Sequence, residues 1–205
     1  MAWTDPNLTN VPIKAGHITE IRNKCDTLES DVGILQDDVS TLQDDVSQLN
    51  NRTWDVIIED QKPSGTNGGT FSSGAWRTRD LNTLVYNHDS LASLSNNRFT
   101  LPAGTYCIDW DAPGHRVNRH KTRLYNYTSS TVVAYGTNEY ATAAKDEHGT
   151  ASRSWGTAIV TITASTAFTI QHRSEASYNA GFGEPATPYF SATEVYTRVR
   201  IKKIN

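Results

Sequence analysis

Asp109 and Asp111 stand two apart in Tyr106-Cys-Ile-Asp-Trp-Asp111. In an extended chain both carboxylates share one face, and Tyr106, Ile108 and Trp110 share the other. Such a pair offers oxygen donors to a hard cation such as calcium, but the plainer reading is a strand face turned to water. Six histidines are scattered along the chain, at 17, 88, 115, 120, 148 and 172. Arg123, Glu139 and Arg153 fall between His120 and His172 in the chain. These five are expected to form a structural polar network that fixes the fold or a subunit contact; the alternative is a polar ligand site. A catalytic histidine needs a nucleophile or carboxylate within reach. No G-x-S-x-G, H-E-x-x-H, P-loop or C-x-x-C pattern occurs, so no catalytic residue is assigned and an enzyme is not expected. A glycan hydrolase would further need two carboxylates about 5–10 Å apart in a groove. Cys25 and Cys107 are too few for a disulfide framework or a zinc site, and no cofactor is expected beyond the calcium option.

Sugars are held by stacking on aromatic faces with directed hydrogen bonds, so loop aromatics are the candidates for recognition. The longest loop-like run, residues 174–189, holds Tyr178, Phe182 and Tyr189, and a second, residues 138–149, holds Tyr140 and His148. These five are the expected ligand-binding residues, with packing at a subunit interface as the alternative, above all for Phe182.

The elements that must position these residues are of two kinds. Residues 1–53 carry nine acids and four bases, a net of −5, and hold one aromatic, Trp3; residues 54–205 carry 13 acids and 15 bases and all the other aromatics. Within the first part, apolar side chains fall at Ile18, Ile21, Cys25, Leu28, Val32, Leu35, Val39, Leu42, Val46 and Leu49, with gaps alternating three and four. That is a heptad repeat with a = 18, 25, 32, 39, 46 and d = 21, 28, 35, 42, 49, and it predicts a parallel coiled-coil stalk. Val at a with Leu at d leans toward a dimer, while Asp31, Asp38 and Asp45 at g repel, so the heptads alone leave dimer and trimer open. Cys25 at an a position is a small core hydrophobe or an interchain disulfide partner. The expected division is an extended attachment segment over 1–16, the stalk over 17–52 and a head over 53–205.

The head reads as all-β. Segments 54–58, 98–101, 105–111, 121–127, 131–135, 154–163, 167–171 and 194–204 alternate or run apolar between turn signals, which fits a sandwich. Arg98-Phe-Thr-Leu101, Pro-Ala-Gly104 and Thr105 to Asp111 predict a hairpin. In the last strand Val195, Thr197, Val199 and Ile201 are expected inside, with Tyr196, Arg198, Arg200 and Lys202 outside. No apolar run of 18 residues and no leader pattern at Met1–Pro6 occurs, so neither membrane insertion nor a signal peptide is expected. A sequence pI near 6.0 argues against a nucleic-acid partner.

Phe99-Thr-Leu-Pro-Ala-Gly-Thr-Tyr106 and a chain ending on its last strand resemble the C1q/TNF-like jelly-roll superfamily. More closely, residues 54–205 resemble phage and bacterial head domains, through Ala112-Pro, Asn118-Arg-His-Lys-Thr-Arg-Leu-Tyr-Asn126, Gly136-Thr-Asn-Glu-Tyr140, Arg153-Ser154, Gln171-His172, Gly181-Phe-Gly183 and Glu194-Val-Tyr196. Ile13-Lys-Ala-Gly-His-Ile-Thr-Glu-Ile-Arg22 is similar to a segment that precedes fibre-like regions in phage and bacterial surface proteins. The resemblance implies a homotrimeric knob on a fibre, with no enzymatic activity and no particular ligand. C1q-like heads often bind calcium near the trimer axis, with no ligand set that maps onto this sequence. The function so implied is a receptor-binding and structural component of a phage tail fibre. It would join other virion tail proteins through residues 1–16 and contact a host-surface glycan or other receptor, on the virion. The alternatives are a trimerisation domain without receptor binding and a secreted or surface-held bacterial C1q-like adhesin.

Overall fold

A computed structural model describes residues 14–51, 53–143, 149–186 and 190–204, with helix side chains given as far as Ser47. The chain divides into two compact units between Arg52 and Thr53.

Among the described residues the first unit holds one helix, α1, Ala15–Asn51. Its interior contains no proline and its threonines back-bond one turn earlier, as Thr27 Oγ1 does to the Asn23 carbonyl at 2.9 Å. The heptad side chains from Ile18 to Val46 form a seam exposed in the single chain, Leu28 to 62% and Val32 to 50%. The side chain of Leu49 lies outside the described residues. Ile34, at a c position and 58% exposed, stands off the seam. Cys25 is exposed and unbridged, and Cys107 is a free thiol in the second unit. No helix among the described residues is long and apolar enough to cross a membrane.

Among the described residues the second unit is an antiparallel sandwich of eleven strands: β1 (Val56–Lys62), β2 (Arg77–Thr78), β3 (Thr83–Asn87), β4 (Ser93–Ser95), β5 (Arg98–Leu101), β6 (Gly104–His115), β7 (Asn118–Asn126), β8 (Thr131–Ala141), β9 (Ala151–Ile162), β10 (Thr166–Ser174) and β11 (Glu194–Lys203). One sheet runs β3-β1-β11-β6-β9 and the other β4-β5-β10-β7-β8, with β2 also paired to β10. Leaving aside the short strands β2, β3 and β4, the order β1-β11-β6-β9 over β5-β10-β7-β8 is that of a jelly roll.

Alternating side chains fill the space between the sheets. Val56 and Ile58, Tyr106, Ile108 and Trp110, and Val199 and Ile201 point in from one sheet. Phe99, Leu101, Leu124, Phe168 and Ile170 meet them from the other, with the Phe99 and Phe168 rings stacked at 5.7 Å. Trp110 donates Nε1–H to Thr122 Oγ1 at 2.9 Å and lies flat over Gly156, where an added Cβ would come within 2.0 Å of the indole. Gly156→Ala is therefore expected to cost about 1–3 kcal/mol by overpacking, read as a lower urea midpoint at unchanged slope.

At one flank the edge strands β8 and β9 are stitched together by side chains. Ser154 donates Oγ–H to the Thr137 carbonyl at 2.8 Å, and Thr137 Oγ1 accepts the Trp155 amide at 3.0 Å.

Three sequence-based expectations change. β5 and β6 are not a hairpin: β5 pairs with β4 and β10, β6 with β9 and β11, so the two lie in opposite sheets. Phe99 and Leu101 face Ile108 and Trp110 across the core, and the Tyr106 hydroxyl donates to the Pro102 carbonyl at 2.9 Å to pin the corner. In β11 the inside–outside phase is correct from Thr197 onward but reversed before it, since Tyr196 is buried and Val195 exposed. A bulge in the pairing of β1 with β11, between Glu59 and Gln61, shifts the phase there, and Tyr196 reaches across to donate its hydroxyl to the Thr66 carbonyl at 2.7 Å. Asp109 and Asp111 do not present free carboxylates to water. Arg200 holds Asp109 at 2.8 Å, and Arg153 and Arg200 hold Asp111, which is 3% exposed. With Arg198–Glu59 at 2.6 Å, these pairs form a row of opposite charges across β1, β11, β6 and β9.

Candidate functional site

The outward face of the second sheet carries the side chains that the core does not use. Strand β7 alternates His120, Thr122 and Leu124 inward with Arg119, Lys121, Arg123 and Tyr125 outward. Pairing sets three rows: Arg119 opposite Tyr140, Lys121 between Asn138 of β8 and Arg173 of β10, and Arg123 between Tyr135 of β8 and Gln171 of β10. A bulge between Lys121 and Arg123 brings Tyr135 and Asn138 to neighbouring rows.

The segment before β2 forms a wall. Trp76 lies 6.0 Å from Tyr135, and the Arg123 guanidinium is held between Trp76 at 4.2 Å and Tyr125 at 4.8 Å. Gln171 Oε1 accepts from Arg123 Nε at 2.8 Å and from Nη2 at 2.5 Å, which locks that cation in place. Lys121 stands 5.4 Å above the Tyr135 ring, and Arg119 pairs with Glu175 at 3.0 Å. Between wall and strands lies an open groove of about 900 Å³, lined among others by Trp76, Lys121, Asn138, Tyr140, Arg173 and Glu175.

Beneath its floor His120 and His172 are buried and hydrogen-bonded at 2.9 Å, and His120 Nε2 is 2.9 Å from Ser152 Oγ. One set of tautomers satisfies the run: His172 Nε2–H donates to His120 Nδ1, His120 Nε2–H to Ser152, and the Ser152 hydroxyl to the Tyr140 carbonyl at 3.3 Å. His172 Nδ1 is then left as a bare lone pair, which costs less than a stranded N–H. Burial, and then the positive charge of Arg79, lower His120 to about 4. The same two causes, followed by His120 itself, hold His172 well below the usual histidine range. Both rings are neutral near pH 7.

The five residues expected to form one polar network are in separate places. His120 and His172 touch each other, but Arg123 bonds Gln171, Glu139 accepts from Thr137 Oγ1 at 2.8 Å, and Arg153 belongs to the Asp111 pair on the opposite sheet. Of the three described residues among the five expected to bind a ligand, Tyr140 alone lines the groove, 55% exposed. Tyr178 and Phe182 pack on Phe71 in a small second core, with Val117 and Ala141. The Phe182 ring lies 4.5 Å from that of Phe71, tilted by 36°, and covers the buried Arg79 guanidinium at 4.1 Å. His148 and Tyr189 lie outside the described residues. Asp109 and Asp111, the candidate cation ligands, are taken up by arginines, and no group of three or more metal-binding side chains exists among the described residues.

Sequence reasoning passed over Trp76, Arg119, Lys121 and Arg173. The signal was present in β7, where Arg119, Lys121, Arg123 and Tyr125 repeat at the period of a strand and so share one face. Trp76 carried no such signal, because it is placed by pairing between β2 and β10, far apart in sequence.

No protein-family model matches the sequence, and none of the curated protein sequences is similar to it. Solved structures are similar over about three quarters of the chain. The globular domain of zebrafish complement 1qA protein covers 73% of this chain and 98% of its own at 11% identity and a TM-score of 0.47. Eiger TNF from S. frugiperda covers 73% and 91% at 8% identity and a TM-score of 0.47. PRD1 vertex protein P5 covers 75% and 100% at 14% identity and a TM-score of 0.43. The jelly-roll assignment itself rests on the strand order described above.

Proposed function

We propose that this chain is the homotrimeric receptor-binding component of a phage tail fibre. A coiled-coil stalk over residues 17–52 carries a head over residues 53–205 that contacts a host-surface glycan, and residues 1–16 join other tail proteins. The observation that carries the binding role is the open groove on the outward sheet face, lined by rings and hydrogen-bonding groups that no core packing requires. Supporting the oligomer is the seam of α1: half-exposed Ile, Val and Leu side chains at heptad spacing call for identical neighbours, because an isolated helix gains little from propensity alone. Binding by one groove in the millimolar range, about −4 kcal/mol, becomes useful when several heads engage together.

A second reading, in which the head serves trimer assembly alone, draws support from β9. Ile159 is 71% exposed and Trp155 46% exposed, on the same outward face of the other sheet. Both readings expect the full chain to sediment at three times its 22.7 kDa mass. Val39→Asp at a central a position should lower the helical signal and the association. A monomer at micromolar concentration would defeat both readings. Retention of the full chain on an array of bacterial surface glycans separates them: binding favours recognition, and a trimer that binds no glycan leaves assembly.

A further inference from the structure

Lys121 and Arg173 lie directly opposite each other across β7 and β10 on the outward face. Like charges placed so repel and destabilise a sheet. Neither has a carboxylate within ion-pair distance among the described residues: the nearby Glu175 is engaged by Arg119, and Glu139 by Thr137. The next cation along the strand, Arg123, is neutralised by neither acid, being fixed between two aromatic rings and Gln171. A facing pair of cations with no carboxylate in ion-pair distance among the described residues therefore opens onto a groove lined also by the rings of Trp76 and Tyr140, the amide of Asn138 and the side chains of Arg119, Glu139 and Glu175, so that its three cations outnumber its two acids.

Resting on the glycan-binding reading above, we infer that the groove takes an acidic saccharide, its carboxylate or phosphate seated between Lys121 and Arg173 and its sugar rings against Trp76 and Tyr140. The arrangement supplies both halves of such recognition. Charge-assisted donors meet the anion, Arg173 with the planar fork suited to carboxylate or phosphate. Aromatic faces meet the C–H surface of the ring, and Asn138 offers donor and acceptor to hydroxyls. The anion also relieves the repulsion between Lys121 and Arg173.

The full chain is tested on an array that pairs uronate- and phosphate-bearing bacterial polysaccharides with carboxyl-reduced and dephosphorylated counterparts. The acidic forms are expected to bind at least about tenfold more tightly, with affinity falling as salt rises. Lys121→Gln/Arg173→Gln should lose about tenfold or more in that affinity, while Lys203→Gln on the opposite sheet leaves it unchanged. The double variant should also melt at the same temperature as the parent or higher, since it removes a repulsion. Which paired set responds distinguishes carboxylate from phosphate. Equal binding of acidic and neutralised forms, an unaffected double variant, a lower melting temperature for it, or equally tight and equally variant-sensitive binding of a short DNA duplex would overturn the inference. Binding of neutral glycans that ignores the double variant defeats this inference alone; an array with no bound glycan defeats the glycan-binding reading as well.

Discussion

Arg79→Ala is expected to remove about 3–5 kcal/mol from the stability of the sandwich, a large share of what a domain of this size holds. The guanidinium is fully buried, and every nitrogen meets a neutral oxygen: Nε donates to Thr197 Oγ1 at 2.8 Å, Nη1 to the Pro113 carbonyl at 3.3 Å and Nη2 to the Phe182 carbonyl at 2.7 Å. One side chain thus ties β11, the end of β6 and the loop after β10, and the Phe182 ring lies over it. Burial draws Arg79 down to about 9, which still leaves it charged at neutral pH. Its charge in turn helps to keep Asp60 ionised against a burial that raises that carboxyl, with Lys62 the stronger of the two cations acting on it. Truncation leaves three acceptors unpaired, a void under Phe182 and a buried carboxylate with less compensation. Arg79→Lys keeps the charge and loses the fork, so it should fall between parent and Arg79→Ala. Urea unfolding followed by far-UV circular dichroism measures both. Midpoints for Arg79→Ala within error of the parent would refute the account.

The second large effect is acid lability. His120 and His172 are neutral in the folded protein and ordinary in the unfolded chain, so the unfolded state takes up protons first as pH falls. The contribution is fully present above the unfolded value near 6.5 and is lost progressively between about 6.5 and 4. From His120 alone, about 2 kcal/mol should be gone by pH 5, with more from His172. The charged neighbour is Arg79, which repels either imidazolium, and among the described residues no carboxylate bonds either ring to offset it. Asp60 acts in the opposite direction, because its raised carboxyl takes up a proton more readily in the folded state. Urea midpoints at pH 7.5 and 5 test the balance, and His120→Gln should flatten the slope. Equal midpoints at the two pH values would show that the pair is not held neutral.

Much of this architecture is written in local patterns. The alternation in 121–127 and 194–204 and the β-branched run in 154–163 each mark a strand, because a half-buried strand must alternate and a long one can do so for many residues. What the pattern does not carry is which strands become neighbours. Arg98 to Asp111 has the same strand, turn and strand whether it folds back as a hairpin or steps across the core. The choice falls to Phe99 and Leu101, which complete the layer opposite Trp110. Strands β2 and β3 are two and five residues long and held by partners far away in sequence, and β4, three residues long, pairs with β5 across a two-residue turn, so all three are too short or too remote from their partners to stand out as a periodic run. The groove suffered in the same way. Its floor was legible in β7, while its wall at Trp76 exists only through pairing with β10. Conversely, Tyr178 and Phe182 looked like free loop aromatics and instead pack on Phe71, with Phe182 also covering a buried cation.

The stitching of β8 to β9 bears on the solubility of the protein. An unpaired strand edge is a template for foreign strands, and these two edges, eleven and twelve residues long, are the longest that the sandwich has. Thr137 and Ser154 occupy each other's strands with the very groups a newcomer would seek, so that flank is half closed into a barrel. The opposite flank ends in β3 and β4, five and three residues long, too short to seed a growing sheet. The sandwich is therefore guarded against runaway edge-to-edge growth on both sides, by cross-links where the edge is long and by brevity where it is not.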